Sequence, residues 1–151
     1  LAVIMLLMYL PSFSSSSEAA GPEFYLNMYP LLDASGPKIQ VAAERMSGNE
    51  TFTTATIKLN YSGITLLSEG QQSGTDMNGV QYQITDDVIT IIVDNDSQLD
   101  FTSQVITIAT IPFTIIGTFE EATFSFDSSN SAFYRGDPAD SDRFNIITDH
   151  L

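Results

Sequence analysis

The segment from Val105 to Asp127 constrains the fold more than any other part of the sequence. It contains two runs dense in Ile, Thr, Val and Phe, which are joined by a short loop at Gly117. These residue types suit a pleated, half-buried surface. In the second run Ala122, Phe124 and Phe126 alternate with polar residues, so one face of this run is apolar. The segment therefore predicts two β-strands, the second with one buried face.

Similar short runs recur along most of the chain, separated by turn residues at intervals of about 8–12 positions. No segment has a convincing helical period. The pattern predicts an all-β protein of roughly eight or nine short strands, packed as an antiparallel two-sheet β-sandwich of Greek-key or jelly-roll type. The in-phase apolar positions predicted to form its core are Ile57, Leu59, Ile84, Ile91, Phe113, Phe124 and Phe126.

Two details of the strand assignment depend on single residues. The first strand, Phe24 to Tyr29, is expected to end at Pro30. Asp86 and Asp87 are expected to form a tight turn between two strands, which would make that pair of strands a hairpin.

The charge of the chain excludes some partners and sites. The sequence of 151 residues has 19 acidic and 5 basic residues, a net charge of −14. A surface of this sign repels phosphate backbones, so we expect no nucleic-acid partner. The chain has no cysteine, which excludes disulfides, thiolate metal sites and cysteine nucleophiles. Residues 21–151 are long enough to bury a core without such cross-links, and we expect them to form one domain.

The first twenty residues have a different character. Leu1 to Leu10 is apolar throughout, and a Ser-rich stretch follows it. A helix needs about twenty residues to cross a bilayer, so this segment is too short to span one. It matches the apolar core of a secretory signal peptide, with Ala19 at the end of a small-residue cleavage region. Two alternatives stay open: a leader that is removed, or a retained segment that packs against lipid, the same domain or a neighbouring copy.

Two acidic loops are candidate calcium sites. Carboxylate oxygens at short spacings in a loop suit Ca²⁺. Aspartate is also the ordinary residue of solvated turns, and neither loop has the spacing of a helix-loop-helix calcium site. No other cofactor is expected. The candidate metal ligands are Asp94, Asp96 and Asp100 in the first loop, and Asp137, Asp140 and Asp142 in the second.

The order of several segments resembles a cohesin-like domain, the jelly-roll module of cellulosome scaffolds and other microbial surface proteins. The matching segments are TTATIKLNYSGITLLSEG at 53–70, VITIIVDN at 88–95 and QVITIATIPFTIIGTFEEATFSFDSSNSAFY at 104–134. The resemblance covers about residues 24–148. It implies a jelly-roll fold, an extracellular location and a protein partner of dockerin type, but no motif identifies the residues that would contact such a partner. Related carbohydrate-binding modules usually present tryptophan, which this chain lacks.

Residues suited to catalysis are few. The adjacent carboxylates Asp86–Asp87 and Glu120–Glu121 are expected at turns, and neighbouring side chains on an extended chain point apart rather than converge. The only histidine is His150. The sequence therefore offers few residues for a histidine-activated nucleophile or for a metal site with histidine ligands. We therefore expect a protein that is not an enzyme.

Two functional hypotheses follow from these observations. The first is a non-catalytic module of a secreted or cell-surface protein that binds another protein. Its expected binding face is formed by the polar sides of the strands around Thr54 to Asn60 and Val80 to Val93. The second is a structural subunit of an extracellular filament or surface layer, in which Leu1 to Leu10 packs into a neighbouring copy. In that case, any particle that retains Leu1 is expected to be an oligomer.

Overall fold

The computed structural model of the protein describes residues 24–46, 52–66, 70–71, 79–94, 104–134 and 146–148. A single turn of 3₁₀ helix, Phe119–Glu121, lies among strands in these residues. Within them, no helix is long and apolar enough to cross a membrane. The strands are β1 (Phe24–Asp33), β2 (Gly36–Arg45), β3 (Thr54–Ser62), β4 (Ile64–Leu66), β5 (Gly70–Gln71), β6 (Val80–Thr85), β7 (Val88–Asp94), β8 (Val105–Ile115), β9 (Thr123–Phe126), β10 (Ala132–Tyr134) and β11 (Ile146–Thr148).

The strands form two sheets, which confirms the predicted all-β sandwich. The first sheet has the order β11-β1-β2-β8-β4, and the second has the order β10-β3-β7-β6-β5, with β9 also paired to β3. All pairs are antiparallel except β1 with β11. The chain passes between the sheets after β2, β3, β4, β7, β8 and β10, as Greek-key and jelly-roll sandwiches do. The β1–β11 pair places the last described strand beside the first.

The core lies between the two sheets and follows the period-2 alternation of the strands. Seven core positions were predicted from the sequence. Phe124 packs edge-on against Phe113 of the opposite sheet, with the ring centroids 5.1 Å apart. Four of the seven positions, Ile57, Leu59, Ile91 and Phe113, are buried, and the other three, Ile84, Phe124 and Phe126, are half-buried against them.

A second cluster of aromatic rings closes one end of the sandwich. Phe52 stacks on Phe133 with the ring centroids 4.3 Å apart. Phe24 meets both rings edge-on, at 5.3 Å from Phe52 and 5.6 Å from Phe133. All three side chains are completely buried. Such aromatic pairs contribute about 0.5–1.5 kcal/mol beyond the area that they bury, so this cluster fixes β1 against β10.

The expectation that the first strand ends at Pro30 is wrong, because β1 continues to Asp33. Pro30 lies opposite Ile39 of β2. On the other side of β1, the described part of β11 pairs only with Phe24–Leu26. No described strand there would accept a backbone hydrogen bond from position 30. Proline is tolerated at such an edge position, since its missing N–H removes no ladder hydrogen bond.

Local chemistry explains the turn between β1 and β2. The Asp33 carboxylate accepts a hydrogen bond of 2.8 Å from the Ser35 amide. It also forms an ion pair with the Lys38 ammonium, at 2.7 Å. The bond from Lys38, followed by those from Ser35, holds the pKa of Asp33 well below its usual range. These contacts close the hairpin through Ala34 and Ser35.

Two other turns depend on positive φ angles. Asp86 and Asp87 connect β6 to β7 with φ values of 50° and 61°, which confirms the predicted tight hairpin turn. Gly63 connects β3 to β4 with a φ of 68°, and an added Cβ there would collide with the backbone carbonyl of Glu121. Only glycine therefore fits the corner where β4 meets the 3₁₀ turn.

Candidate functional site

The candidate site is the side of β3, β6 and β7 in the second sheet that faces away from the core, and we call it the outer face. Its residues alternate with buried residues of β3, β6 and β7, so their side chains point away from the first sheet. The outer face consists of Thr54, Thr56, Lys58 and Asn60 from β3, Gln81, Gln83 and Thr85 from β6, and Val88, Thr90, Ile92 and Asp94 from β7.

The strand register arranges these side chains in rows across three adjacent strands. The central row consists of Lys58, Thr90 and Gln83. One flanking row is formed by Thr56, Ile92 and Gln81, and the other by Asn60, Val88 and Thr85. Threonine, valine and isoleucine have restricted χ1 angles, so most of this surface loses little side-chain freedom when a partner binds.

The outer face is poor in charge although the chain is strongly acidic. Of its eleven positions, only Lys58 and Asp94 are ionisable, whereas the chain carries 19 acidic residues. Depletion of charged residues distinguishes the centres of protein interfaces from the rest of the surface. The sheet therefore presents a neutral, hydrogen-bonding surface with two apolar side chains, Val88 and Ile92.

Lys58 lies near the middle of the outer face, and its backbone is held on one side by the turn after β9. Its amide donates to the Ser131 hydroxyl at 3.0 Å, and its carbonyl accepts from the Asp127 amide at 2.9 Å. The ion pair found among the described residues is Lys38–Asp33, so the Lys58 ammonium has no carboxylate partner within this part of the chain.

The turn that supports Lys58 is itself ordered by Asp127. The Asp127 carboxylate accepts hydrogen bonds of 2.7 Å from both Asn130 Nδ2 and Ser129 Oγ. The bond from Asn130 is the main reason that the pKa of Asp127 is lowered, and Lys58 adds a smaller electrostatic contribution. The Ser131 hydroxyl, which accepts from the Lys58 amide, also donates to the Asp127 carbonyl at 2.8 Å.

The predicted calcium ligands stay predictions. Asp94 is the last residue of β7, is exposed, and lies opposite Thr54. Within the described ranges, no three acidic or histidine side chains are close enough to share a metal ion. The other five candidates, Asp96, Asp100, Asp137, Asp140 and Asp142, lie outside the described residues.

The carboxylate pairs considered for catalysis lie on exposed turns. Asp86 and Asp87 form the tip of the β6–β7 hairpin. Glu120 and Glu121 belong to the 3₁₀ turn, and Glu121 Oε2 accepts a hydrogen bond from the Thr118 amide at 3.1 Å. Glu121 thus has a structural contact within its own turn.

Sequence reasoning missed an opening between the sheets, which we call the apolar groove. It has a volume of about 310 Å³ and lies at the opposite end of β1 from the phenylalanine cluster. Met28 and Pro30 of β1 form one wall, and the start of β9 forms another. The groove is lined by Met28, Pro30, Ile39, Phe113, Ala122, Thr123 and Phe124.

Comparison with known proteins adds no relative to this description. Neither a scan against protein-family models nor a search of curated proteins finds a match. Functional inference therefore rests on the geometry of the outer face and the apolar groove, together with the resemblance that residues 53–70, 88–95 and 104–134 carry.

Proposed function

We propose that the protein is a non-catalytic, extracellular, cohesin-like module that binds another protein through the outer face. The observation that carries this proposal is the scarcity of charge on the outer face of a chain with a net charge of −14. A solvated sheet face in so acidic a chain has no need to exclude carboxylates. A face that loses its water when a partner binds does need to exclude carboxylates, because an unpaired buried charge costs free energy.

The composition of the outer face also indicates how contact would be made. Val88 and Ile92 offer apolar area, and the threonine, glutamine and asparagine side chains offer hydrogen-bond donors and acceptors around them. Lys58 supplies one positive charge near the centre. We therefore expect a partner that brings an acceptor, most simply a carboxylate, to Lys58 and covers the two aliphatic side chains.

The strand arrangement is compatible with the cohesin-like resemblance. The chain crosses repeatedly between two sheets, and β11 pairs with β1 beside the start of the domain. These features belong to jelly-roll sandwiches in general, and a fold of this kind hosts many functions. The support for protein binding therefore comes from the outer face rather than from the topology.

A pair of matched substitutions tests the proposal. Thr90→Arg places a long cation in the central row of the outer face, whereas Thr110→Arg makes the same change on the outward side of β8 in the first sheet. Both threonines are half-buried positions within strands. Wild type and both variants are immobilised and exposed to surface and secreted proteins of the source cells, and the affinity for any retained protein is then measured.

We expect Thr90→Arg to weaken binding by at least about tenfold, since a buried, unpaired cation at an interface centre costs more than 1.4 kcal/mol. Thr110→Arg should bind as the wild type does. Equal binding by all three proteins, or equal loss in both variants, would contradict the assignment of the outer face. Circular dichroism of each variant checks that the sandwich is intact.

The apolar groove favours a second candidate function, that of a structural subunit in an extracellular filament or surface layer. Leu1–Leu10 of one copy would then enter the groove of the next. This candidate requires the full chain to assemble in detergent-free buffer. A chain that retains Leu1 and sediments as a monomer contradicts it.

A further inference from the structure

The inward row of β1 is longer than the sheet that faces it. Phe24, Leu26 and Met28 occupy successive inward positions and are buried. Pro30 and Leu32 continue the same row, but Pro30 is exposed and Leu32 has 83% of its surface exposed. The hairpin of β1 and β2 therefore extends an apolar strip past the edge of the core, with no described residue covering its end.

The apolar groove begins where this strip leaves the core. Of the described residues that line it, six are apolar, and the hydroxyl of the seventh, Thr123, forms a hydrogen bond of 2.7 Å with the Ser62 hydroxyl. The volume of about 310 Å³ is roughly twice that of a 150 Å³ apolar cavity that holds one benzene molecule. The groove can thus take about two aliphatic side chains, and filling it would remove apolar surface from water.

The backbone beside the groove does not favour a continuous added strand. Described pairing of β1 with β11 stops at Leu26, and no described strand pairs with that edge of β1 beyond it. Pro30 interrupts that edge, because it has no N–H to donate. An occupant would therefore be held mainly by its side chains, which requires a segment rich in flexible aliphatic residues.

We propose that the apolar groove is occupied by Leu1–Leu10 of the same chain, which also covers Leu32. This segment is the longest uninterrupted run of apolar residues in the sequence and contains no charge. It offers Leu, Ile, Val and Met side chains, of which two or three suffice to fill the groove. The inference is independent of what the outer face binds.

The length of the chain between Leu10 and Phe24 favours binding of the segment to the groove of its own molecule. Residues 11–23, which include a run of four serines, separate the segment from Phe24 by 13 positions, and 13 residues reach at most about 43–47 Å when fully extended. The root-mean-square length expected for a random coil of 13 residues is about 20 Å. From Phe24 to the groove at Met28 and Pro30 is four to six residues of strand, or about 13–20 Å. A linker whose length matches the span gives the highest effective concentration, so the same chain outcompetes a second copy in dilute solution.

If the proposal holds, a particle that retains Leu1 can be a monomer, whereas the sequence predicts an oligomer. That expectation supposed that a sandwich of this length already has a complete core. The described residues instead leave a groove between the sheets of the domain itself, within reach of the segment. The segment then has a binding site without a neighbour.

Engineered cysteines test the proposal directly, because the chain has none of its own. The full chain is made with Leu6→Cys and Ala122→Cys, because Ala122 lines the groove and packs against the core on the same side of the chain as Phe124. The control pairs Leu6→Cys with Gln83→Cys, an exposed position on the outer face. We expect an intramolecular disulfide that forms at least about tenfold faster for the Ala122 pair than for the Gln83 pair.

A tryptophan reporter gives a second readout, since the chain contains no tryptophan. In the full chain with Leu6→Trp, we expect blue-shifted emission, typical of a buried indole. Adding Leu32→Asp should shift this emission to the red, because it places a charge at the mouth of the groove. Adding Ile116→Asp, at an apolar position that is 57% exposed and outside the groove lining, should leave the emission unchanged.

Four results would overturn the proposal. Equal cross-linking rates for the two cysteine pairs, or an emission maximum that neither aspartate changes, would show that the segment does not dock in the groove. Disulfide-linked dimers whose yield rises with protein concentration would assign the segment to a neighbouring copy. Mature protein isolated from its source with Ala20 at its N-terminus would show that the segment is removed before it can act.

Discussion

Gly63→Ala is the substitution whose effect the structure defines most sharply. Gly63 has a φ of 68°, so an alanine there would adopt a left-handed conformation that costs about 1–2 kcal/mol. Its Cβ would also collide with the carbonyl group of Glu121 and lie 3.0 Å from the Ala122 nitrogen. These are backbone atoms, so no side-chain rotation relieves the collision.

The backbone around Gly63 has little room to move. The Gly63 carbonyl accepts from the Ile116 amide at 2.9 Å, and the Glu121 amide donates to the Thr118 carbonyl at 3.1 Å. Phe124, three residues after Glu121, is packed on Phe113. Overpacking against such surroundings costs about 1–3 kcal/mol. The two contributions together predict a loss of about 3 kcal/mol, within a range of about 2–5 kcal/mol.

Urea denaturation and thermal melting measure this loss. A destabilisation of about 3 kcal/mol corresponds to a fall in Tm of about 10 °C for a domain of this size. Gly36→Ala is the matched control, since Gly36 has a φ of 109° but no atom within 4 Å of the added Cβ. The Gly36→Ala variant has backbone strain from a positive φ, but its added Cβ does not collide with another atom. If Gly63→Ala costs no more than about 1–2 kcal/mol, which is the cost of its backbone strain alone, the steric reasoning is refuted.

Three further predictions concern the turns and acidic loops. Asp87→Gly should stabilise the protein by about 0.5–1 kcal/mol in urea denaturation, because glycine removes the cost of a φ of 61° while the backbone turn is kept; a comparable loss would contradict this. Because the pKa of Asp33 is lowered, its stabilising effect is present above about pH 4 and is lost as the pH falls. Asp33→Asn should therefore show a smaller fall in Tm than the wild type between about pH 5 and 2, and an equal fall would count against the Lys38 contact. Removal of calcium with a chelator should leave Tm unchanged if the acidic loops are solvated turns, whereas a fall of several degrees that Asp96→Ala abolishes would indicate a calcium site.

Much of the strand pattern could be predicted because it is local. The alternation of Phe124 and Phe126 with polar residues identifies the buried face of β9, and two adjacent aspartates identify the β6–β7 turn. These signals depend on neighbouring residues alone. The sequence also indicated that the polar sides of Thr54–Asn60 and Val80–Val93 form a common face, and the structure places them on adjacent strands.

Features that depend on distant pairing could not be read from local patterns. The tolerance of Pro30 within β1 depends on how far β11 extends along its edge. At Ile108 the pairing of β2 with β8 shifts by one residue, so Ile108 and Ala109 are both buried and the alternation is interrupted. The apolar groove arises because β1 extends past the opposite sheet, a relation between strands far apart in sequence.

The positions of the acidic residues connect this fold to the kind of partner that we propose. Near the outer face, Asp86 and Asp87 lie in a turn, Asp94 ends a strand, and Asp127 follows one. Turns lie at the ends of the sandwich, so these carboxylates border the outer face without occupying its centre. Two copies that met through this face would bring their acidic borders together, and like charges at short range oppose association. A partner with basic residues around a neutral contact surface would instead be attracted, and increasing salt should slow its association. The neutral face and its acidic border therefore favour a different protein over a second copy as the occupant of the outer face.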